Sequence, residues 1–152
     1  MPDSPQSETI ERRAVKKYRF LDHTGDEAVE IYGGSMAELF QNAAEAFTEV
    51  LTDSSAVQPV ETRAVELVAA GEDELLIAWL NELLYLFEIE LFLPGHCDIG
   101  DIDGFHLKGV VWGEKHDQER HPIRRVIKAV TYHQASVSEE NGCWKGRVVF
   151  DL

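Results

Sequence analysis

The stretch Leu21-Asp22-His23-Thr24-Gly25-Asp26 is a short polar turn, and the rest of the chain is organised around it. It separates an extended aromatic segment, residues 18–20, from residues 28–32, where alternate side chains fall on opposite faces. We therefore predict a strand on each side of the turn, the first over residues 16–20 and the second over residues 28–32. The glycine pair at 33–34 ends the second strand.

The second stretch that matters is Asp151-Leu152, directly after the strand-like run 147–150. We expect Leu152 to carry the free α-carboxylate beside the Asp151 side chain. If Asp26 lies near that end in the fold, three carboxylates converge, and they repel one another unless a cation or shared protons relieve the charge. Oxygen ligands suit a hard cation such as Ca²⁺, Mg²⁺ or Mn²⁺. The alternative is that Asp26 serves only its own turn and Asp151 is a frayed end.

Two helices are predicted in the first two thirds of the chain. Ser35 and Glu38 have the spacing of a capping box, and the apolar residues that follow recur at helical spacing up to residues 52–53. The second helix opens with the acidic residues 72–74, which a helix N-terminus favours. Residues 75–87 are apolar almost all round, so we expect this helix to be buried on two sides.

Strand-like segments fill the remainder of the chain. They are residues 62–70, 97–102, 105–114, 125–138 and 144–151. Asp103-Gly104 and Asn141-Gly142 favour hairpin turns. The order of elements predicts a single α+β domain, with two helices packed on a largely antiparallel or mixed β-sheet. We expect residues 1–14 to be a flexible leader and residues 15–152 to be the domain.

The charge of the chain is strongly uneven. Its net charge is −14, and residues 22–92 contain 16 acidic residues but one basic residue, Arg63. Such a field repels nucleic acid, so we expect no direct nucleic-acid binding. It suits a basic protein partner or cations, although an acidic surface that only keeps the protein soluble fits equally well.

The cysteines and the apolar segments bear on the compartment. Cys97 and Cys143 are far apart and lack the spacing of a redox or metal motif, which predicts two buried thiols in a reducing environment. The N-terminal segment has no apolar signal region, and the apolar stretch 75–93 is interrupted by acidic residues. These features favour a cytoplasmic protein without a membrane span.

Few other residues are candidates for catalysis or ligand binding. Lys128 lies among apolar residues of the segment 127–133, where we expect a strand, and it could offset a carboxylate cluster, bind a phosphate or simply face solvent. The six histidines lack the helical spacing of a zinc site, and His116 and His121 are expected in a surface loop. The three tryptophans are expected in the core. The sequence contains no nucleophile-elbow or phosphate-loop motif.

Five blocks of the chain resemble, in the same order, those of the archease family. They are YRFLDHTGDEAVEIYGGSMAELFQNAAEAF, LLIAWLNELLYLFE, GEKHDQERH, IKAVTYH and VVFDL, and they lie between residues 18 and 152. The resemblance implies a small accessory protein, not an enzyme in its own right. Its partner would be the RNA ligase that joins 2′,3′-cyclic-phosphate or 3′-phosphate ends to 5′-hydroxyl ends in tRNA splicing and RNA repair.

In that role the protein would promote guanylylation of the ligase and sustain multiple turnover. Two alternatives remain: a chaperone of a tRNA-modifying methyltransferase, and a metal-dependent hydrolase. The resemblance also implies a metal site formed by Asp26, Asp151 and the main-chain or terminal oxygens of Leu152. We expect Ca²⁺ there in a crystal and Mg²⁺ or Mn²⁺ in function. His23 and Lys128 are the further functional residues that the resemblance implies.

The turn departs from the family pattern at two positions. Gly25 stands where alanine is commoner, and we expect it only to loosen the backbone. Glu27 stands where an apolar residue is usual, and we expect it to add a carboxylate beside the metal site.

Overall fold

The computed structural model describes residues 16–22 and 25–152. The predicted leader, residues 1–14, and the candidate functional residue His23 therefore lie outside the described residues.

The described residues form seven strands and two α-helices, joined by short turns and one long connection. In chain order the elements are β1 Tyr18–Asp22, β2 Asp26–Gly33, α1 Met36–Leu51, β3 Glu61–Val68, α2 Glu72–Glu90, β4 Phe92–Ile102, β5 His106–Lys115, β6 Ala129–Glu140 and β7 Cys143–Asp151. A single 3₁₀ turn, Ser54–Ala56, follows α1.

The strands form two separate sheets. One has four strands in the order β1-β2-β7-β6, and the other has three in the order β3-β5-β4. Neighbouring strands are antiparallel in both sheets. The prediction of an α+β domain with two helices on antiparallel sheet structure is confirmed, but the division into two sheets was not predicted.

The helices lie between the two sheets. Helix α1 packs on β2 and β4, and α2 packs on β6, β4 and β3. The buried Trp79 indole of α2 donates to the carbonyl oxygen of Phe40 in α1 at 2.9 Å, so its one polar group is satisfied in the core. The expected burial of α2 on two sides follows from this layering. No helix in the described part of the chain is long and apolar enough to cross a membrane.

Helix α1 begins at the predicted cap. The Ser35 hydroxyl accepts from the amide of Glu38 at 3.1 Å, and the Glu38 carboxylate accepts from the amide of Gly34 at 2.8 Å. Ser35 thus satisfies one of the free amides of the first turn, as the capping-box spacing predicts.

The structure corrects several predictions made from local pattern. Strand β6 begins at Ala129 and not at residue 125, so residues 116–128 form a long connection between β5 and β6. Strand β4 begins at Phe92 and not at residue 97, and its pairing with β5 shifts register between Pro94 and Cys97. Cys97 is buried as predicted, but Cys143 is exposed at the start of β7. Trp112, predicted in the core, is 39% exposed on β5.

Candidate functional site

The start of β2 and the end of β7 meet at one edge of the four-stranded sheet. Asp26, the first residue of β2, is the direct cross-strand partner of Asp151, the last residue of β7. On the other side of β7, Ala129 of β6 is also opposite Asp151. Directly opposed residues of an antiparallel pair point to the same face, with Cβ atoms about 4.5–5.5 Å apart. The structure therefore brings the two predicted carboxylates side by side.

Two further predicted residues reach the same edge through their main chains. The Leu152 amide donates to the carbonyl oxygen of Gly25 at 3.4 Å, and the Lys128 amide donates to the carbonyl oxygen of Asp151 at 2.8 Å. Lys128 directly precedes β6, so its expected position within the strand is wrong by one residue. Its main chain nevertheless lies beside Asp151, and its side chain is exposed. Asp26, Asp151, Leu152 and Lys128 thus lie together.

Gly25 has a defined conformational role in this edge. Its φ of +78° lies in the left-handed region that residues with a side chain rarely adopt. Its carbonyl oxygen accepts the hydrogen bond from Leu152. The expectation that Gly25 only loosens the backbone is therefore wrong, because this residue lets the turn point its carbonyl toward β7.

Glu27 does not join the two aspartates. It is opposite Phe150 in the β2–β7 pairing, and consecutive strand residues point to opposite faces of a sheet. Its carboxylate forms an ion pair with Arg125 of the long connection. The additional carboxylate expected beside the metal site is therefore on the other face of the sheet and already paired.

The available donors fit a hard cation. Among the described side chains, neither Asp26 nor Asp151 forms an ion pair, and no three His, Cys, Asp or Glu side chains are grouped so that they alone could hold a metal ion. Two carboxylates about 5 Å apart repel by roughly 2–3 kcal/mol at an effective dielectric of about 20–30. Two carboxylates with main-chain oxygens suit a cation such as Mg²⁺ or Ca²⁺ that fills its remaining positions with water. They do not suit a metal that prefers sulfur or nitrogen ligands.

A second polar cluster, which sequence reasoning missed, anchors the long connection. Glu114, at the end of β5, accepts from both terminal nitrogens of Arg120 at 2.7 and 2.8 Å and from the amide of Gln58 at 2.7 Å. His121 Nε2 lies 2.9 Å from the same carboxylate. The Arg120 guanidinium, with these other donors, holds the pKa of Glu114 at about 2 even though burial opposes ionisation.

His121 is fully buried, so the prediction of a surface position for it is wrong. Its Nδ1 accepts from the amide of Asp117 at 3.0 Å, which leaves the proton on Nε2, where it is donated to Glu114. The carbonyl oxygen of His121 in turn lies 2.9 Å from His116 Nε2. Because its polar groups are satisfied within the protein, this cluster fits an anchor better than an open catalytic site. The sequence signal was the block GEKHDQERH, whose spacing matches no periodic element.

The comparisons with known proteins agree with this architecture. The model of the Archease protein family matches residues 18–152. A protein archease of Methanosarcina mazei is 38% identical over 141 residues, which cover 90% of this chain and 97% of that protein. A protein archease of Sulfolobus acidocaldarius is 35% identical over 139 residues, which cover 91% of this chain and 100% of that protein.

Solved structures show the same fold. The solution structure of protein 1598 of Methanobacterium thermoautotrophicum matches with a TM-score of 0.76 at 39% identity, over 89% of this chain and 98% of that one. The crystal structure of an archease, possible chaperone, from Thermotoga maritima matches with a TM-score of 0.60 at 21% identity, over 87% of this chain and 94% of that one. At that identity the second likeness bears on the fold alone. The chain belongs to the archease family.

Proposed function

We propose that this protein is a cytoplasmic accessory factor that activates an RNA ligase joining 3′-phosphate or 2′,3′-cyclic-phosphate ends to 5′-hydroxyl ends. It promotes guanylylation of the ligase and allows the ligase to turn over many times, while the bond-forming chemistry belongs to the ligase. Membership of the archease family supports the proposal. The single observation that carries it is the cross-strand pairing of Asp26 with Asp151.

In this proposal the sheet edge holds a divalent cation. Asp26, Asp151 and the main-chain oxygens of Leu152 are its ligands, and the cation supplies positive charge for nucleotidyl transfer when bound. The pairing of β2 with β7 fixes the main chain at both aspartates before the cation arrives, so little main-chain ordering is needed on binding. The exposed Lys128 side chain, whose backbone is bonded to Asp151, offers a point charge to a phosphate group of the partner's reaction.

We propose that the acidic segment, residues 22–92, attracts the ligase electrostatically. Residues 22–92 contain 16 acidic residues and one basic residue, so a basic ligase surface would be attracted at long range. Such attraction weakens as salt is added, because exposed charges are screened.

Turnover of the ligase tests the proposal. With this protein added in a small fraction of the ligase concentration, ligated RNA should exceed one equivalent of ligase. Asp26→Asn and Asp151→Asn should abolish the gain and weaken divalent-cation binding in calorimetry, because each removes one ligand charge. Asp98→Asn is the matched control, since Asp98 is an exposed aspartate on β4. Ligation that stays at one equivalent with the unaltered protein would contradict the proposal.

A chaperone of a tRNA-modifying methyltransferase is the second candidate. It is the alternative that the resemblance to the archease family leaves open beside the ligase role. The two functions differ in whether they require the carboxylates of Asp26 and Asp151. If Asp26→Asn preserves the soluble yield and activity of such a methyltransferase while the ligase shows no response to either form, the chaperone function is favoured.

A further inference from the structure

The hydroxyl of Thr131 is the unusual polar group of the four-stranded sheet. Among the described residues, Thr131 Oγ1 is the buried side-chain polar atom that has no hydrogen-bond partner. A buried hydroxyl without a partner costs about 1–3 kcal/mol, and native proteins contain few of them. A water or another group that completes the hydrogen bonding of this hydroxyl is therefore expected.

Its position in the sheet is next to the carboxylate pair. Thr131 of β6 is opposite Val149 of β7, which is opposite Ala28 of β2. Each of these residues lies two positions from the row that contains Asp26 and Asp151, and side chains two positions apart share a face. The hydroxyl is thus on the same face as both carboxylates, diagonal to Asp151 at about 7–8 Å between Cα atoms.

The row of Thr131 is more buried than the row of the aspartates, although Thr131 itself is partly exposed. Ala28 is 0% exposed and Val149 is 6% exposed, while Asp26 and Asp151 are partly exposed. The hydroxyl oxygen of Thr131 is nevertheless closed to bulk water. No direct hydrogen bond joins the hydroxyl to the carboxylate, and a separation of this size is one that a single water can bridge.

The regular pairing of β6 stops directly after Thr131. The β6–β7 register shifts between Thr131 and Ser136, and Gln134 has a φ of +60°. Irregularities of this kind often lie beside functional sites, where they redirect the chain or end the pairing. Thr131 is therefore the last residue of β6 that pairs regularly with β7 before the irregular segment.

We propose that Thr131 is a positioning residue of the cation site, whose hydroxyl donates through one water to the Asp151 carboxylate and holds it in the orientation that binds the cation. The inference rests on the proposed cation site of Asp26, Asp151 and Leu152. Outer hydrogen bonds to a liganding group orient it, and losing one typically lowers metal affinity about 10–100-fold.

The test is Thr131→Val, which removes the hydroxyl and keeps the shape. Without a cation, the variant should unfold in urea at about the same concentration as the unaltered protein, because the side-chain shape is kept and no direct hydrogen bond of the protein is lost. In calorimetric titration with Ca²⁺, its affinity should fall about 10-fold. The rise in Tm that Ca²⁺ produces should shrink accordingly. Thr131→Ser should restore both Ca²⁺ readouts, and Thr62→Val, at an exposed threonine of β3, should leave them unchanged.

The outcomes separate the inference from the site on which it rests. If Thr131→Val binds Ca²⁺ as tightly as the unaltered protein while Asp151→Asn does not bind, the role of Thr131 is overturned and the cation site stands. If the unaltered protein binds none of Ca²⁺, Mg²⁺ and Mn²⁺, both are overturned. If Thr131→Ser loses cation affinity and stability together with Thr131→Val, the residue acts in packing and the inference is overturned.

Discussion

Two glutamates carry most of the buried charge of the described residues. Glu30 accepts from Arg19 at 2.7 Å and from the Tyr32 hydroxyl at 2.9 Å, and it lies 3.1 Å from Lys145. The Arg19 hydrogen bond above all, with those from Tyr32 and Lys145, holds the pKa of Glu30 at about 2. Hydrogen bonds from Arg120, Gln58 and His121 likewise hold the pKa of Glu114 at about 2. At the scale of single residues, ionised carboxylates survive burial here because each has several donors.

We predict that Glu114→Gln lowers the free energy of unfolding at pH 7 by about 2–3 kcal/mol, because it leaves a half-buried arginine without its charged partner. The pKa of Glu114 is about 2 in the fold against a usual value of 4.5. The stabilisation is therefore complete above about pH 5 and is lost as the pH falls toward 2. Urea unfolding at a series of pH values measures this.

The matched control is Glu119→Gln, an exposed glutamate of the same connection. It should leave both the stability at pH 7 and the pH slope close to those of the unaltered protein. If Glu114→Gln loses stability with falling pH as steeply as the unaltered protein, the carboxylate of Glu114 is not the group that titrates.

At the scale of elements, the connection from residue 116 to 128 completes helix α1. The last turn of α1 contains no basic residue. Arg124 compensates from a distance: its amide donates to the carbonyl oxygen of Leu51 at 2.7 Å, and its guanidinium donates to the carbonyl oxygens of Glu49 and Thr52. Carbonyls that the helix leaves free are thereby satisfied, and a positive charge faces the negative end of the helix dipole.

We expect Arg124→Met to lower the free energy of unfolding by about 1 kcal/mol, since it keeps the aliphatic stem but removes the charge and its donors. About half of the Arg124 side chain is exposed, which limits the loss. Urea unfolding followed by circular dichroism gives the value. Lys108→Met, at an exposed lysine of β5, is the control and should change stability little. Equal stability of the two variants would show that Arg124 does not cap the helix.

The hairpin that joins β6 and β7 shows an element that its own residues specify. Asn141 and Gly142 have φ values of 55° and 79°, so both central residues are left-handed. That is the turn whose twist matches antiparallel strands and which Asn-Gly favours. The predicted hairpin is confirmed, and the reason is local.

At the scale of the whole molecule, charge is the property that reaches farthest. The net charge of −14 acts on any polyanion before contact is made. We predict that the isolated protein shows no measurable binding to single-stranded or hairpin RNA at about 0.15 M salt, because it lacks the excess of lysine and arginine that releases counterions. Fluorescence anisotropy with labelled RNA measures this.

The double variant Glu66→Lys and Asp98→Lys, at two exposed positions of the three-stranded sheet, provides the comparison. It should raise RNA affinity measurably at low salt if repulsion is what prevents binding. Tight and salt-sensitive RNA binding by the unaltered protein would contradict the prediction.

Much of the local structure followed from the sequence alone. Some features depend only on residues within four positions of one another, and they could therefore be predicted from the sequence. They are the cap at Ser35, the acidic start of α2 and the Asn141-Gly142 turn. The family also followed, because five ordered blocks specify more than any single motif. Errors arose where burial depends on layers above a strand, as at Trp112 and Cys143.

Tertiary structure alone decided which strands pair and which polar side chains are buried together. The division into two sheets, the opposition of Asp26 to Asp151 and the burial of His121 against Glu114 join residues whose separation in the chain carries no periodic signal. The physical reason is that strand register is set by which apolar faces can be buried together, and a slip of one residue would turn every side chain to the other face. The sequence supplied the carboxylates, and the packing of two sheets around two helices placed them side by side.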